Sequence, residues 1–275
     1  MIQAALQGKS FGTEYSEDML TSTVFGTLRY LPLDSALIPF IEEAFLYDEV
    51  RTPFWKVLNK DGIQLRCYEK VEYIFWTRHS TFGEPDLILL FTDHVHGEED
   101  LLLVVEAKFK SPKSGVGEFD QLMRYHRAIT EQIEDFSHIE VANFRGKKGY
   151  MIYLTESEAS DEIKDSMERI KKIDKDSIKG IFHLRWHQLH KILSNRLESN
   201  SSMESLIAND IIQYLERLGL REFSGISSPE KCIISTINSE VPIFYNKNSN
   251  SLYFNSLPKV SIGKKDYFFY KEIKE

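Results

Sequence analysis

Glu84-Pro85-Asp86-Leu87-Ile88-Leu89-Leu90-Phe91 and Leu101-Leu102-Leu103-Val104-Val105-Glu106-Ala107-Lys108 decide how this chain reads. Each is a short apolar run with charged residues at one end, and polar residues 92–100 lie between them. Runs of this length, joined by a polar turn, predict two paired and largely buried strands. Side chains alternate across a strand, so Leu102, Val104, Glu106 and Lys108 share one face and Ala107 points to the other. The two charges therefore extend a buried row and need compensation there. On a solvated strand the same pair would be a surface ion pair worth roughly 0–1 kcal/mol. An acid and a lysine side by side at the end of a buried strand, with Asp86 nearby, can bind a divalent cation and activate a water. Asp86 also has a simpler reading, because Gly83-Glu84-Pro85-Asp86 is good turn chemistry.

Working outward, residues 111–117 contain Pro112, Gly115 and Gly117 and predict a loop. A helix is expected to follow over residues 118–135. Gln121 and Tyr125 are four apart and lie on one helix face, with Leu122, His126, Ile129 and Ile133 on the neighbouring one. Alone, such a pair is an ordinary half-exposed face; it gains meaning by following the Glu106-Ala107-Lys108 strand directly.

Toward the N-terminus, Ser16 can cap a helix whose first turn holds Glu17 and Asp18, with Leu20, Val24 and Leu28 inward and Pro32 ending it. A second helix is expected over residues 35–47, with Ile38, Ile41 and Phe45 inward. Residues 55–58, 64–68 and 72–76 read as strand material, with Asp61-Gly62 as a hairpin turn. Toward the C-terminus, strands are expected over 150–154 and 178–185, and helices over 161–173 and 186–197. This order predicts an α/β fold: a mixed central sheet flanked by helices. The Ser- and Asn-rich residues 195–205 suggest a boundary. A main domain would span 10–197, and a small α+β appendage of unknown role 203–275. In the latter, a helix over 206–218 ends at Gly219, and strands cover 241–245 and 251–254.

The chain has 275 residues, enough for one large domain with an appendage. Two cysteines, Cys67 and Cys232, lack metal-ligand spacing, which argues against a zinc cluster or a disulfide scaffold. No apolar run reaches the roughly 18 residues that a membrane span needs. Residues 1–10 do not read as a secretory signal, so the expected location is the cytoplasm. There is no Gly-x-x-x-x-Gly-Lys phosphate loop and no Gly-x-Ser-x-Gly elbow. His183, His187 and His190 do not form one row if His183 lies in a strand, and His94 and His96 are expected in a turn facing water.

Pro85-Asp86, Glu106-Ala107-Lys108 and Gln121-Leu122-Met123-Arg124-Tyr125 together resemble the PD-(D/E)XK nuclease superfamily, which has a restriction-endonuclease-like core. The Gln-x-x-x-Tyr helix is similar to that of the branch containing the RecB nuclease domain and lambda exonuclease. That branch often has aspartate where Glu106 stands; glutamate is the other accepted form. The motifs span about residues 16–127, and the element order extends the resemblance toward residue 197. The resemblance implies a Mg²⁺- or Mn²⁺-dependent phosphodiester hydrolase acting on DNA in preference to RNA. It implies that Asp86, Glu106 and the Ala107 carbonyl hold the metal, that Lys108 positions the attacking water, and that Gln121 and Tyr125 hold a phosphate or orient Lys108. The family often adds an acid from the first helix. Glu17 shares the inward face of Leu20, Val24 and Leu28 and is the first choice; Glu14 and Asp18 are rivals, and all three also suit the helix dipole.

The net charge of −8 means that DNA must be held by a local basic patch. Lys110, Lys113, Arg124 and Arg127 are the candidates, with Arg145, Lys147 and Lys148 as a further run that also reads as a solvated loop. Phe109 and Phe119 read as core residues or as base-stacking platforms. A role in phage defence or mobile-element DNA processing is compatible with the resemblance. The alternative is a nuclease-fold interaction module with weak or partner-dependent activity, its partner protein engaged through the C-terminal region. The sequence leaves the oligomeric state open.

Overall fold

The structure is a computed structural model and describes residues 16–79, 81–95, 99–115, 117–131, 147–173, 180–196, 202–221, 243–246 and 251–254. In chain order its elements are helix α1 (Glu17–Leu28), helix α2 (Leu37–Glu42), strand β1 (Phe45–Leu46), helix α3 (Phe54–Lys60), strands β2 (Tyr68–Phe75), β3 (Leu87–His94) and β4 (Leu101–Ala107), helix α4 (Gln121–Thr130), strand β5 (Lys148–Thr155), helix α5 (Ser160–Ile173), strand β6 (Ile181–Arg185), and helices α6 (Trp186–Arg196) and α7 (Ser202–Arg217). The six strands make one mixed sheet in the order β1-β6-β5-β4-β3-β2. β2, β3 and β4 pair antiparallel, β4, β5 and β6 pair parallel, and β1 closes the edge antiparallel to β6. The chain is thus α/β with a mixed sheet flanked by helices, as the sequence predicts. β4 is where the sheet changes from antiparallel to parallel.

The alternation of β3 and β4 sorts two cores. On one face Leu87, Leu89, Phe91, Leu101, Leu103, Val105 and Ala107 pack with Leu20, Val24 and Leu28 of α1 and Trp186 and Leu189 of α6. On the other, Ile88, Leu90, Leu102 and Val104 meet Leu122, Met123, Tyr125 and Ile129 of α4 and Ile163 and Ile170 of α5. Both faces of the central strands are covered, which is why they read as unbroken apolar runs. Each fully buried aliphatic side chain contributes roughly 1.5–3 kcal/mol. Helix α4 lies close on β5 at Gly149, where a Cβ would come within 2.6 Å of Ile129 Cγ2.

Several elements differ from expectation. Residues 55–58 are helical, within α3, because Pro53 sets the entry and Phe54 and Leu58 bury at a spacing of four. Asp61-Gly62 is the end of that helix and not a hairpin turn: Gly62 has φ +76°, and Ile63 N–H donates to Leu58 O at 2.8 Å. The expected helix over 35–47 is shorter, α2, and Phe45 leaves it to pair with His183 on β6. Helix α4 starts at Gln121, after a 3₁₀ turn over Gly117–Phe119; residues 132–135 lie outside the described residues. His94 does not face water: it is buried in β3 with its ring 4.7 Å from that of Tyr68.

The boundary also differs. The compact unit runs to Glu222, and α7 belongs to it through Ala208, Ile211, Ile212 and Leu215, which share the α1 and α6 core. The second unit covers Phe223–Glu275, and its described part is a hairpin of β7 (Ile243–Asn246) and β8 (Ser251–Phe254). No helix among the described residues is long and apolar enough to cross a membrane.

Candidate metal centre

Asp86 stands just ahead of β3, where its carbonyl accepts from Trp76 N–H at 3.3 Å. Its carboxylate Oδ2 accepts from Ala107 N–H at 2.8 Å, which ties it to the end of β4. Glu106 is fully buried there, and the parallel pairing continues past it, with Lys108 N–H donating to Leu154 O at 2.8 Å. Lys108 Nζ donates to Glu106 Oε1 at 2.5 Å and to Ala107 O at 3.1 Å.

Helix α1 brings the third acid. Ser16 Oγ accepts from Met19 N–H at 3.2 Å and fixes the start of the helix, with Glu17 in its first turn. Glu17 Oε1 accepts from Lys108 Nζ at 2.8 Å, while Oε2 accepts from Phe109 N–H at 3.2 Å and Ser111 Oγ at 2.9 Å. One carboxylate oxygen from each of Glu17, Asp86 and Glu106 lies within 4.8 Å of the others. Of the rival acids, Asp18 is outside this group and Glu14 lies outside the described residues.

The electrostatics of the cluster are unbalanced. Burial pushes the Asp86 carboxyl up to about 7, with Lys108 opposing and Glu17 adding to the shift. Burial and the neighbouring Asp86 charge push Glu106 well above the usual carboxylate range. Burial disfavours the Lys108 ammonium, yet Glu106, Asp86 and Glu17 outweigh that and hold its pKa above the ordinary lysine value. Three carboxylates thus face one ammonium, and a divalent cation would restore the balance. Glu106 Oε2 is buried with no hydrogen-bond partner, and the same holds for Gln121 Oε1. Glu106 Oε2, a hard oxygen donor beside the carboxylates of Glu17 and Asp86, fits a site for Mg²⁺ or Mn²⁺.

Gln121 opens α4, and its Nε2 donates to Tyr125 Oη at 3.1 Å. Tyr125 is buried and packs in the α4 core, and its hydroxyl orients the Gln121 amide.

The basic candidates divide. Lys113 donates to Asp120 Oδ2 and Asp165 Oδ2, both at 2.8 Å, to Ser166 Oγ at 2.7 Å and to Glu162 O at 3.1 Å. That leaves it no donor for a phosphate, and it drops out of the proposed nucleic-acid contacts. Arg127 is paired with Glu131 at 2.7 Å. The Arg124 guanidinium packs over Gly83, and Lys110 is exposed with its ammonium 4.9 Å from the Phe109 ring centre. Phe109 is buried in the core, whereas Phe119 is 73 % exposed. Lys148 lies in β5 and donates to Asp61 O at 2.8 Å, Lys147 adjoins it, and Arg145 lies outside the described residues.

His183 lies in β6, buried between Tyr47 Oη (2.8 Å to Nδ1) and Thr155 Oγ1 (2.7 Å to Nε2). It is therefore apart from His190, which faces Glu216 at 3.2 Å. Three supporting residues carry no mark of the site in the sequence reading. Ser111 and Trp186 contact the site only through the tertiary fold, with Trp186 Nε1–H donating to Lys108 O at 3.3 Å. Asp120 has a local signal, that of an N-cap: it precedes α4 and accepts from Met123 N–H at 3.1 Å.

Comparison with protein-family models, with curated proteins and with solved structures finds no match to this chain.

Proposed function

We propose that this protein is a metal-dependent nuclease that hydrolyses phosphodiester bonds in DNA. The observation that carries the reading is the convergence of Glu17, Asp86 and Glu106 around Lys108 at the buried end of β4, with Glu106 Oε2 unpartnered. Asp86, Glu106, Glu17 and the Ala107 carbonyl would hold Mg²⁺ or Mn²⁺. When bound, such an ion lowers the pKa of a coordinated water and offsets charge that builds on the phosphate. Lys108 Nζ would donate to the attacking water or to a phosphate oxygen and so stabilise the transition state. Tyr125 holds Gln121 at the start of α4, where the glutamine amide can orient a phosphate or that water. The reading includes the resemblance to PD-(D/E)XK nucleases of the RecB and lambda-exonuclease branch, a cytoplasmic setting and a role in phage defence or mobile-element DNA processing.

A second reading has support of its own. Internal pairing of Lys113 and Arg127 leaves a thin basic margin on an acidic chain. A partner protein that supplies the grip on DNA would remedy that, and the second unit is the natural place to recruit it.

The test is incubation with linear and circular DNA, single- and double-stranded, and with RNA, in Mg²⁺, Mn²⁺ or EDTA. Lys108→Ala and Asp86→Ala proteins, verified as folded, run beside the wild type. Metal-dependent cleavage of DNA that both variants lose supports the proposal. Cleavage that persists in both contradicts it, and silence from every protein favours the partner-dependent module.

A further inference from the structure

We propose that the Lys108 ammonium is the resident counter-cation of the carboxylate cluster, and that a divalent cation binds by displacing it into the neighbouring cleft. The proposal rests on the metal-binding reading above and gives that site a built-in exchange of cations.

An ammonium has three N–H donors. Those of Lys108 have acceptors in Glu106 Oε1 at 2.5 Å, Glu17 Oε1 at 2.8 Å and Ala107 O at 3.1 Å. These oxygens belong to three of the four residues that would hold the metal. No donor remains for a water or a phosphate, so the catalytic role given to Lys108 requires that at least one of these bonds be released. A divalent cation among the same oxygens would repel the ammonium strongly at such distances in a buried site.

Displacement is confined to the side chain, because the backbone of Lys108 is held on both sides. Its N–H donates to Leu154 O at 2.8 Å, and its carbonyl accepts from the fully buried Trp186 indole at 3.3 Å. There is also somewhere to go. A cleft of about 300 Å³ opens beside Lys108, lined by Ser111, Tyr153, Thr155, Glu156 and Glu162 among others. Its three glutamates, Glu156, Glu158 and Glu162, outnumber Lys110 and favour a cation that leaves the cluster, and the cleft gives the ammonium access to solvent. In this scheme Lys108 bridges the carboxylates and offsets their repulsion before metal arrives, and becomes a free donor only once it has bound.

The experiment is competitive acylation of lysines in the intact protein, read at Lys108 by peptide mass spectrometry, in EDTA and at rising Mn²⁺. Exposed Lys60, at the end of α3, serves as the internal reference, and Mn²⁺ binding is followed in parallel by electron paramagnetic resonance. The Lys108 side chain is only 6 % exposed, so it should react slowly in EDTA. Protected groups react only from opened states, and saturation with Mn²⁺ should speed Lys108 acylation by about tenfold or more. Bound Mn²⁺ with Lys108 still protected would overturn the exchange and leave the metal site standing. Absence of Mn²⁺ binding would overturn both.

Discussion

Asp86 is held in a place that disfavours its charge. Its carboxyl is raised from 3.8 to about 7, chiefly by burial. As pH rises between those values its ionisation works increasingly against the fold. An amide at this position would remove the charge, and its carbonyl oxygen could still accept from Ala107 N–H. Asp86→Asn should therefore be more stable than the wild type by about 1–3 kcal/mol in urea unfolding at pH 8 with EDTA, and inactive, the usual trade at a functional site. A less stable variant would show that the carboxylate serves the fold instead. His183 has the opposite sign. Burial outweighs the attraction of Glu158 and lowers its pKa from 6.5 to about 4. Between those values the unfolded chain binds a proton that the folded one does not. This contribution to stability is full above pH 6.5 and is lost as pH falls toward 4. Between pH 7 and pH 5 the wild type should lose about 2 kcal/mol relative to His183→Gln, measured by urea unfolding at both pH values. Glu106 and Lys108 are legible in sequence because charges that extend a buried row stand out, whereas Asp86 also reads as turn chemistry and stands out only beside them. Trp186 is not legible, because it lies 78 residues from Lys108, and Ser111, though close in sequence, shows its role only through its bond to distant Glu17.

At the scale of elements, the loop from Lys108 to α4 is anchored by the Lys113–Asp120 pair, with Asp165 and Ser166 completing the network. Asp120 both caps α4 and offsets a nearly buried ammonium. Asp120→Ala should cost about 2–4 kcal/mol in urea unfolding, since it removes a cap and the buried one of the two carboxylates that hold Lys113. The Gly149 contact predicts that Gly149→Val pushes α4 off β5, at about 1–3 kcal/mol by the same measurement. Strand and helix order is readable where periodicity is strong, as in β3, β4 and α5. It fails at residues 55–58, where Trp and Val suggest a strand but the burial of Phe54 and Leu58 follows a helical repeat. β1 is illegible for a different reason: two residues pair with a strand far along the chain, and no local signal marks that.

For the whole molecule, α7 belongs with the sheet and not with the second unit. Its Ile211 and Leu215 lie in the α1 and α6 core, and their loss would expose that surface. A chain ended after Glu222 should therefore keep cooperative unfolding, while one ended at residue 200 should lose it, as circular dichroism on heating would show. The serine-rich run at 195–205 resembles a boundary by composition, yet its described ends lie in α6 and α7. On the proposed reading, the acidic total charge and the buried pairing of Lys113 place the burden of substrate capture on the metal site. The most direct measurement is Mn²⁺ binding by electron paramagnetic resonance on the wild type, Asp86→Asn and Glu106→Gln. The expected result is Mn²⁺ bound by the wild type and weakened at least about tenfold in each variant, both checked for folding. Equal binding by all three proteins, or by none, would contradict a metal centre built on these carboxylates.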